Sequence, residues 1–166
     1  MTIEEYTQTI FPLIEFNLKQ QEQDPKGYKD NFTWYLYCQS FYGFTNFFRN
    51  RIRISEKVHE DYVKENTVNI REFLTKYSGL KGKYIQEHMY TGTMFRKGIE
   101  LLYKNQKLNV ENIVILVNDN YSMAWITKEE NKRLPKSCRG DTLSDAEKVY
   151  VNAKIKLIVA SSFTDE

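Results

Sequence analysis

Tyr121-Ser122-Met123-Ala124-Trp125-Ile126-Thr127-Lys128-Glu129-Glu130-Asn131 joins two patterns without a break. From Tyr121 to Ile126 the residues alternate as those of a half-buried strand do. Thr127, followed three residues later by Glu130, is a capping box. The threonine hydroxyl accepts from the third helical N–H and the glutamate reaches back to the cap. Pro135 closes that helix. A strand that runs straight into a capped helix predicts a mixed α+β fold.

Working outward, Lys83-Tyr84-Ile85-Gln86-Glu87-His88 reads as a short extended segment. Thr93 caps a helix through about Asn105, with Phe95, Ile99 and Leu102 on one face. Residues 110–117 fit either a helix capped by Asn109 or a strand from Ile113 to Val117. Ser144 with Glu147 repeats the capping box and opens a helix through about Ala153, and Ile155 to Val159 reads as a last strand. In the first half, Ile3, Tyr6, Ile10, Leu13, Ile14 and Leu18 recur at helical spacing over 3–22, where Pro12 marks a kink or the true start. Asp24-Pro25-Lys26-Gly27 is a turn. Residues 32–50 form a helix apolar on nearly all faces, from Phe32 and Trp34 to Phe47 and Phe48, a pattern that fits packing better than base stacking. Ser55 opens a third helix, with Val58, Tyr62, Val63, Val68, Ile70, Phe73 and Leu74 as core positions. Ser78-Gly79 and Gly82 then break the pattern. The expected division is a helical part over 1–80 and a part carrying the chemistry over 81–166, with one compact domain also compatible.

The composition is that of a folded protein. Aromatic residues are 14% of the 166, with 12 Tyr and 10 Phe, and side chains that bury so much area argue against disorder. The net charge of +2 creates no global field for a polyanion. Local charge says more. Arg49-Asn50-Arg51-Ile52-Arg53 ends the aromatic segment, and Lys81, Lys83, Arg96, Lys97, Lys104 and Lys107 face only Glu87 and Glu100 between residues 81 and 107. Such patches suit a phosphate backbone, and equally the solvated end of a helix. Cys38 and Cys138 match no zinc spacing, and Cys38 among aromatics reads as a small buried hydrophobe. The acidic start Met1-Thr2-Ile3-Glu4-Glu5 lacks the apolar core of a signal peptide, and no run reaches the length of a membrane span. A cytoplasmic protein without a membrane partner is expected.

His88 is the natural general base near neutral pH. Glu87 beside it and an Asn or carboxylate from the first turn of the following helix are hard ligands for a divalent cation. Gln86-Glu87-His88 followed by Trp125-Ile126-Thr127-Lys128-Glu129-Glu130-Asn131-Lys132-Arg133-Leu134 resembles the paired signatures of HNH, or ββα-metal, endonucleases. It is similar in particular to restriction endonucleases of the HaeII kind, with Arg139 and Tyr150-Val151-Asn152-Ala153-Lys154-Ile155-Lys156-Leu157 standing for the later pieces. The resemblance covers roughly residues 83–158. It implies a helical N-terminal layer packed on a small ββα-metal-type C-terminal unit. It also implies His88 as base, Glu87 and Asn131 (or Glu130) as metal ligands, and Mg²⁺ or Mn²⁺ as the metal. Double-stranded DNA becomes the substrate, cut in a restriction or defence setting, by a homodimer or a single chain. Arg139 becomes the phosphate contact, with Arg96, Lys97 and Lys83 as further DNA-binding groups. The chain departs from the pattern in having Met89-Tyr90-Thr91-Gly92 where an apolar residue and a proline usually follow the histidine, and only Asn112 or Asn118 as a middle Asn.

Two other readings stand beside this one. Each residue has a plain structural role available: His88 in a turn, Glu130 as a cap, Trp125 in the core. The chain is then a non-catalytic accessory that binds nucleic acid or protein, or a phage inhibitor. Alternatively, Arg53 and His59, with five residues between them, resemble the catalytic pair of HEPN ribonucleases, metal-independent helical dimers.

Overall fold

The computed structural model describes residues 1–48, 52–66, 69–78, 82–136 and 139–159. Arg49, Asn50 and Arg51 of the basic cluster, Val68, Gly79, Lys81 and Cys138 lie outside them. The protein is mixed α+β, and the chain divides into two units, each built from two segments.

Met1–Phe47 and Gly92–Asn120 make an all-helical unit of α1 (Ile3–Gln23), α2 (Phe32–Gly43), α5 (Gly92–Lys104) and α6 (Val110–Asn120). Thr2 and Glu5 form a capping box on α1, and Pro12 is carried inside the helix on an exposed position, where water can satisfy the carbonyl its missing N–H leaves unbonded. Residues 110–117 are helical because the Asn109 side chain caps the Asn112 N–H at 2.8 Å. The aromatic run is shorter as a helix than 32–50. After Gly43 it tightens into a 3₁₀ turn, Phe44–Phe47. The Tyr6 ring lies where a Cβ on Gly43 would stand, and its hydroxyl donates to the Ser40 carbonyl at 2.6 Å. Phe41 and Phe44 are fully buried and both pack on Phe95, with ring centroids 5.4 and 5.7 Å away.

Phe48–Thr91 and Tyr121–Glu166 make the unit that holds the sheet. Its strands are β1 (Ile52–Ser55), β2 (Tyr84–His88), β3 (Met123–Thr127) and β4 (Leu157–Val159), in the order β2-β3-β1-β4. β2 is antiparallel to β3, β1 parallel to β3, and β4 antiparallel to β1. Its helices are α3 (Glu56–Glu65), α4 (Ile70–Lys76), α7 (Lys128–Arg133) and α8 (Leu143–Asn152). The boundary expected near residue 80 therefore separates β1 from the strand it pairs with.

Three local expectations change. Ile52–Ser55, inside a basic cluster, is a strand. The helix opened by Ser55 is two helices, because Asn66 ends α3 in the left-handed conformation, φ 51°. The cap of α8 is Thr142 with Asp145 rather than Ser144 with Glu147. Four hydrogen bonds from Thr142, Asp141 and Lys148 converge on the Asp145 carboxylate and lower its pKa to about 2.

On one sheet face Ile54, Tyr84 and Trp125 meet Val58 of α3 and Phe73 and Leu74 of α4 in one apolar cluster. At the carboxyl ends of the parallel strands, Glu130 is 7% exposed. Its Oε2 accepts from the Thr127 N–H at 2.8 Å and from the Ser55 hydroxyl at 2.7 Å. Ser55 caps α3 and Thr127 caps α7, so one carboxylate ties two helix starts together. Glu130→Ala leaves both donors buried and unsatisfied, and chemical denaturation should show a loss of about 2 kcal/mol, with Glu130→Gln losing less.

Candidate functional site

The end of β2 carries the two residues on which the chemistry rests. Successive strand residues project to opposite faces, so Glu87 and His88 do not share one. Glu87 lies opposite Ala124 and meets the Arg139 guanidinium. Arg139 is 6% exposed. It also donates to the His88 carbonyl at 2.9 Å and to the Tyr150 hydroxyl at 3.3 Å, while its buried Nε has no hydrogen-bond partner among the described residues. One guanidinium thus clasps the side chain of one strand residue and the backbone of the next. Burial raises the Tyr150 pKa, so the phenol stays protonated. On the same sheet face Arg53 reaches Glu147 of α8 at 2.6 Å.

His88 turns its ring edge-on to Tyr121, centroids 5.9 Å apart, and Tyr121 stacks on Phe48 at 5.0 Å. Its pKa is lowered, chiefly by burial and further by the Arg139 charge, against the opposing pull of Glu87. The imidazole is accordingly neutral at neutral pH, the form a general base needs.

The helix end of the expected site is elsewhere. The register pairs His88 with Met123 and Tyr84 with Thr127. His88 is therefore four residues along the strand pair from the start of α7, about 13 Å at a strand's rise. Strand, strand and helix occur in the expected order, but the helix starts at the wrong end of β2 to meet Glu87 and His88. Glu130 is occupied by Ser55 and Thr127, and Asn131 follows it into α7. Glu87, Glu130 and Asn131 cannot reach one cation at ligand distances of roughly 2.0–2.6 Å. Glu87 is also neutralised by Arg139. These residues do not fit the implied metal, and no described group of three or more His, Cys, Asp or Glu side chains is arranged to hold one.

The other basic candidates are dispersed. Lys83 precedes β2 at its far end, bonded to Asp61 at 2.6 Å. Arg96 and Lys97 belong to α5 in the helical unit. Arg53 lies on β1 and His59 on α3, so the helix-borne pair of the ribonuclease resemblance is not formed. A cleft of about 480 Å³ at the carboxyl ends of β1 and β3 had no counterpart in the sequence reading. Glu56, Lys57, Glu129, Glu130, Arg133 and Lys156 are among its walls. Its one sequence signal was the pair of helix caps, Ser55 and Thr127.

Two outcomes follow from this geometry. Arg139→Met strands the Glu87 carboxylate and should cost about 3 kcal/mol of stability, much of it recovered in the Arg139→Met/Glu87→Leu double variant. Because folding lowers the His88 pKa, the unfolded chain binds the proton more tightly, and stability falls as pH drops below the ordinary histidine value of 6.5. Thermal unfolding on the acid side should show that fall in the native protein and a shallower one in His88→Gln. Compared with known proteins, the chain matches no family model, no curated protein and no solved structure.

Proposed function

We propose that this protein is an endonuclease acting on double-stranded DNA, with the end of β2 as its reactive centre and His88 as the general base. The observation that carries the reading is a half-buried, neutral imidazole on a strand end that a buried arginine holds at two points. Preorganisation of this kind lets a base act without first rearranging. His88 takes the proton from the attacking water as its oxygen bonds to phosphorus and the bond from phosphorus to the 3′ oxygen breaks; solvent protonates the departing oxygen, leaving a 5′-phosphate and a 3′-hydroxyl. Arg139 is a positioning residue: it fixes the Glu87 side chain and the His88 backbone, and its burial keeps it from the phosphate contact the resemblance implied. Glu87 holds Arg139 and ligates nothing. Asn131 and Glu130 have no part in the reaction.

A second reading has its own support. Glu87 and His88 sit on opposite strand faces, and Arg139 is engaged with groups of the fold. That is what a non-catalytic nucleic-acid- or protein-binding accessory would keep.

Supercoiled plasmid incubated with Mg²⁺, with Mn²⁺ and with a chelator, over a range of protein concentrations, separates the readings. His88→Ala should reduce cleavage by about 100-fold or more while the protein stays folded. Asn131→Ala should cleave like the native chain. Abolished cleavage in Asn131→Ala would restore the metal-ligand set of the resemblance and sink the site proposed here. A native protein that retards DNA and never cuts it is an accessory.

A further inference from the structure

Gln86 and His88 are two residues apart on β2, so their side chains leave one face of the sheet while Glu87 between them leaves the other. The register sets Gln86 opposite Trp125 and His88 opposite Met123. The Met89 N–H donates to the Ser122 carbonyl and the Lys128 N–H to the Lys83 carbonyl, which puts the ladder hydrogen bonds on the odd-numbered residues of β2. His88 and Met123 are therefore a non-hydrogen-bonded pair, the closer kind, with Cβ atoms about 4.5–5.5 Å apart. Gln86 does not stand straight out from its strand. Its amide leans along β2 to this pair, where Nε2 donates to the Met123 sulfur at 3.4 Å. A thioether accepts a hydrogen bond and cannot donate one, so the amide turns its nitrogen to the sulfur and its carbonyl oxygen away. That Oε1 accepts from no described residue. Gln86 is exposed and His88 half-buried, so water reaches both.

We propose that Gln86 orients the attacking water for His88, an inference that rests on the reading of His88 as the general base. The water donates one hydrogen to the imidazole and the other to Gln86 Oε1. Residues two apart on a strand are separated by about 7 Å, and one water bonded to two acceptors spans about 5.5 Å, so a leaning amide and an imidazole can share it. With both hydrogens held, the water directs a lone pair at phosphorus. The amide stays neutral throughout, and the proton passes to His88 alone. A neutral group suits the position, because a carboxylate there would repel the phosphate. The neighbouring carboxylate, Glu87, is turned to the opposite face, where Arg139 holds it.

The test uses the full chain, with single-turnover cleavage of plasmid DNA measured across pH and DNA binding measured separately. Gln86→Met keeps the length of the side chain and its contact with Met123 but has no carbonyl. It should cleave about tenfold to 100-fold more slowly than the native chain, with DNA affinity and melting temperature unchanged. Gln86→Glu keeps an acceptor for the water and adds a charge. The charges beside His88, Glu87 and Arg139, oppose each other, so the new carboxylate should move the acid limb of the rate profile to higher pH by favouring the imidazolium. Gln86→Met should leave that limb in place. A Gln86→Met protein that cuts at the native rate, while His88→Ala does not cut, overturns this inference alone. So does a loss confined to DNA affinity, which would make Gln86 a contact to the nucleic acid. A native chain that never cuts, or a His88→Ala variant that cuts like it, removes the base and the water's partner together.

Discussion

The parallel pairing of Ile52–Ile54 with Met123–Trp125 is the constraint on which the rest depends. Two parallel strands cannot be joined by a tight turn; the chain must cross back over the sheet before the second can start. Everything between Ser55 and Met123 serves that return. α3 and α4 cover one face of the sheet, β2 adds itself to the far side of β3, and α5 and α6 complete a separate helical unit before β3 begins. Each unit is therefore assembled from two distant segments, and β1 owes its place to a strand it meets only after most of the chain has passed.

The same pairing explains the Glu130 carboxylate. Parallel β1 and β3 end side by side, and each runs into a helix whose first N–H groups lack partners. Ser55 and Thr127 satisfy some of these. Glu130 then bonds both caps, so the negative charge that two helix starts favour is supplied from within the fold. A carboxylate so used is a poor choice for a metal ligand, because withdrawing it would leave buried donors at two elements at once. Its neighbour Arg133 approaches it at 3.9 Å from the solvent side, where an ion pair adds little.

Elements whose signals are local could be read from the chain. Thr127 and Glu130 specify their cap within four residues, the spacing of Ile3 to Leu18 specifies α1, and the alternation from Tyr121 to Ile126 specifies β3. β1 could not be read this way. Ile52-Arg53-Ile54 is too short to show a period and sits in a basic cluster, and only the partners at Met123 and Ile158 make it a strand. The site failed for a related reason. The order strand–strand–helix was legible, but order does not carry register. Whether His88 lies beside Thr127 or four residues from it depends on which residues pair across the sheet. Arg139 enters only through the resemblance, as a phosphate contact, and nothing in the local sequence shows that it closes on Glu87 and His88 as a clasp.

What α2 illustrates is the limit of hydropathy on a helix that is apolar all round. Such a helix has no moment to orient it, so composition alone places every aromatic in the core. Packing is more selective. Tyr6 fills the space beside Gly43 and Phe95 takes Phe41 and Phe44, and these neighbours use up one side of the helix. The other side is left with Phe32, Tyr35 and Tyr42 in water, although burying each such ring is worth a few kcal/mol. Lys29 and Arg96 partly shield Trp34 on another side of the helix, while Phe32 is stacked by Tyr35. Hydropathy marks which residues of such a helix are apolar, and only the neighbours that pack on Phe41 and Gly43 decide which of them leave water.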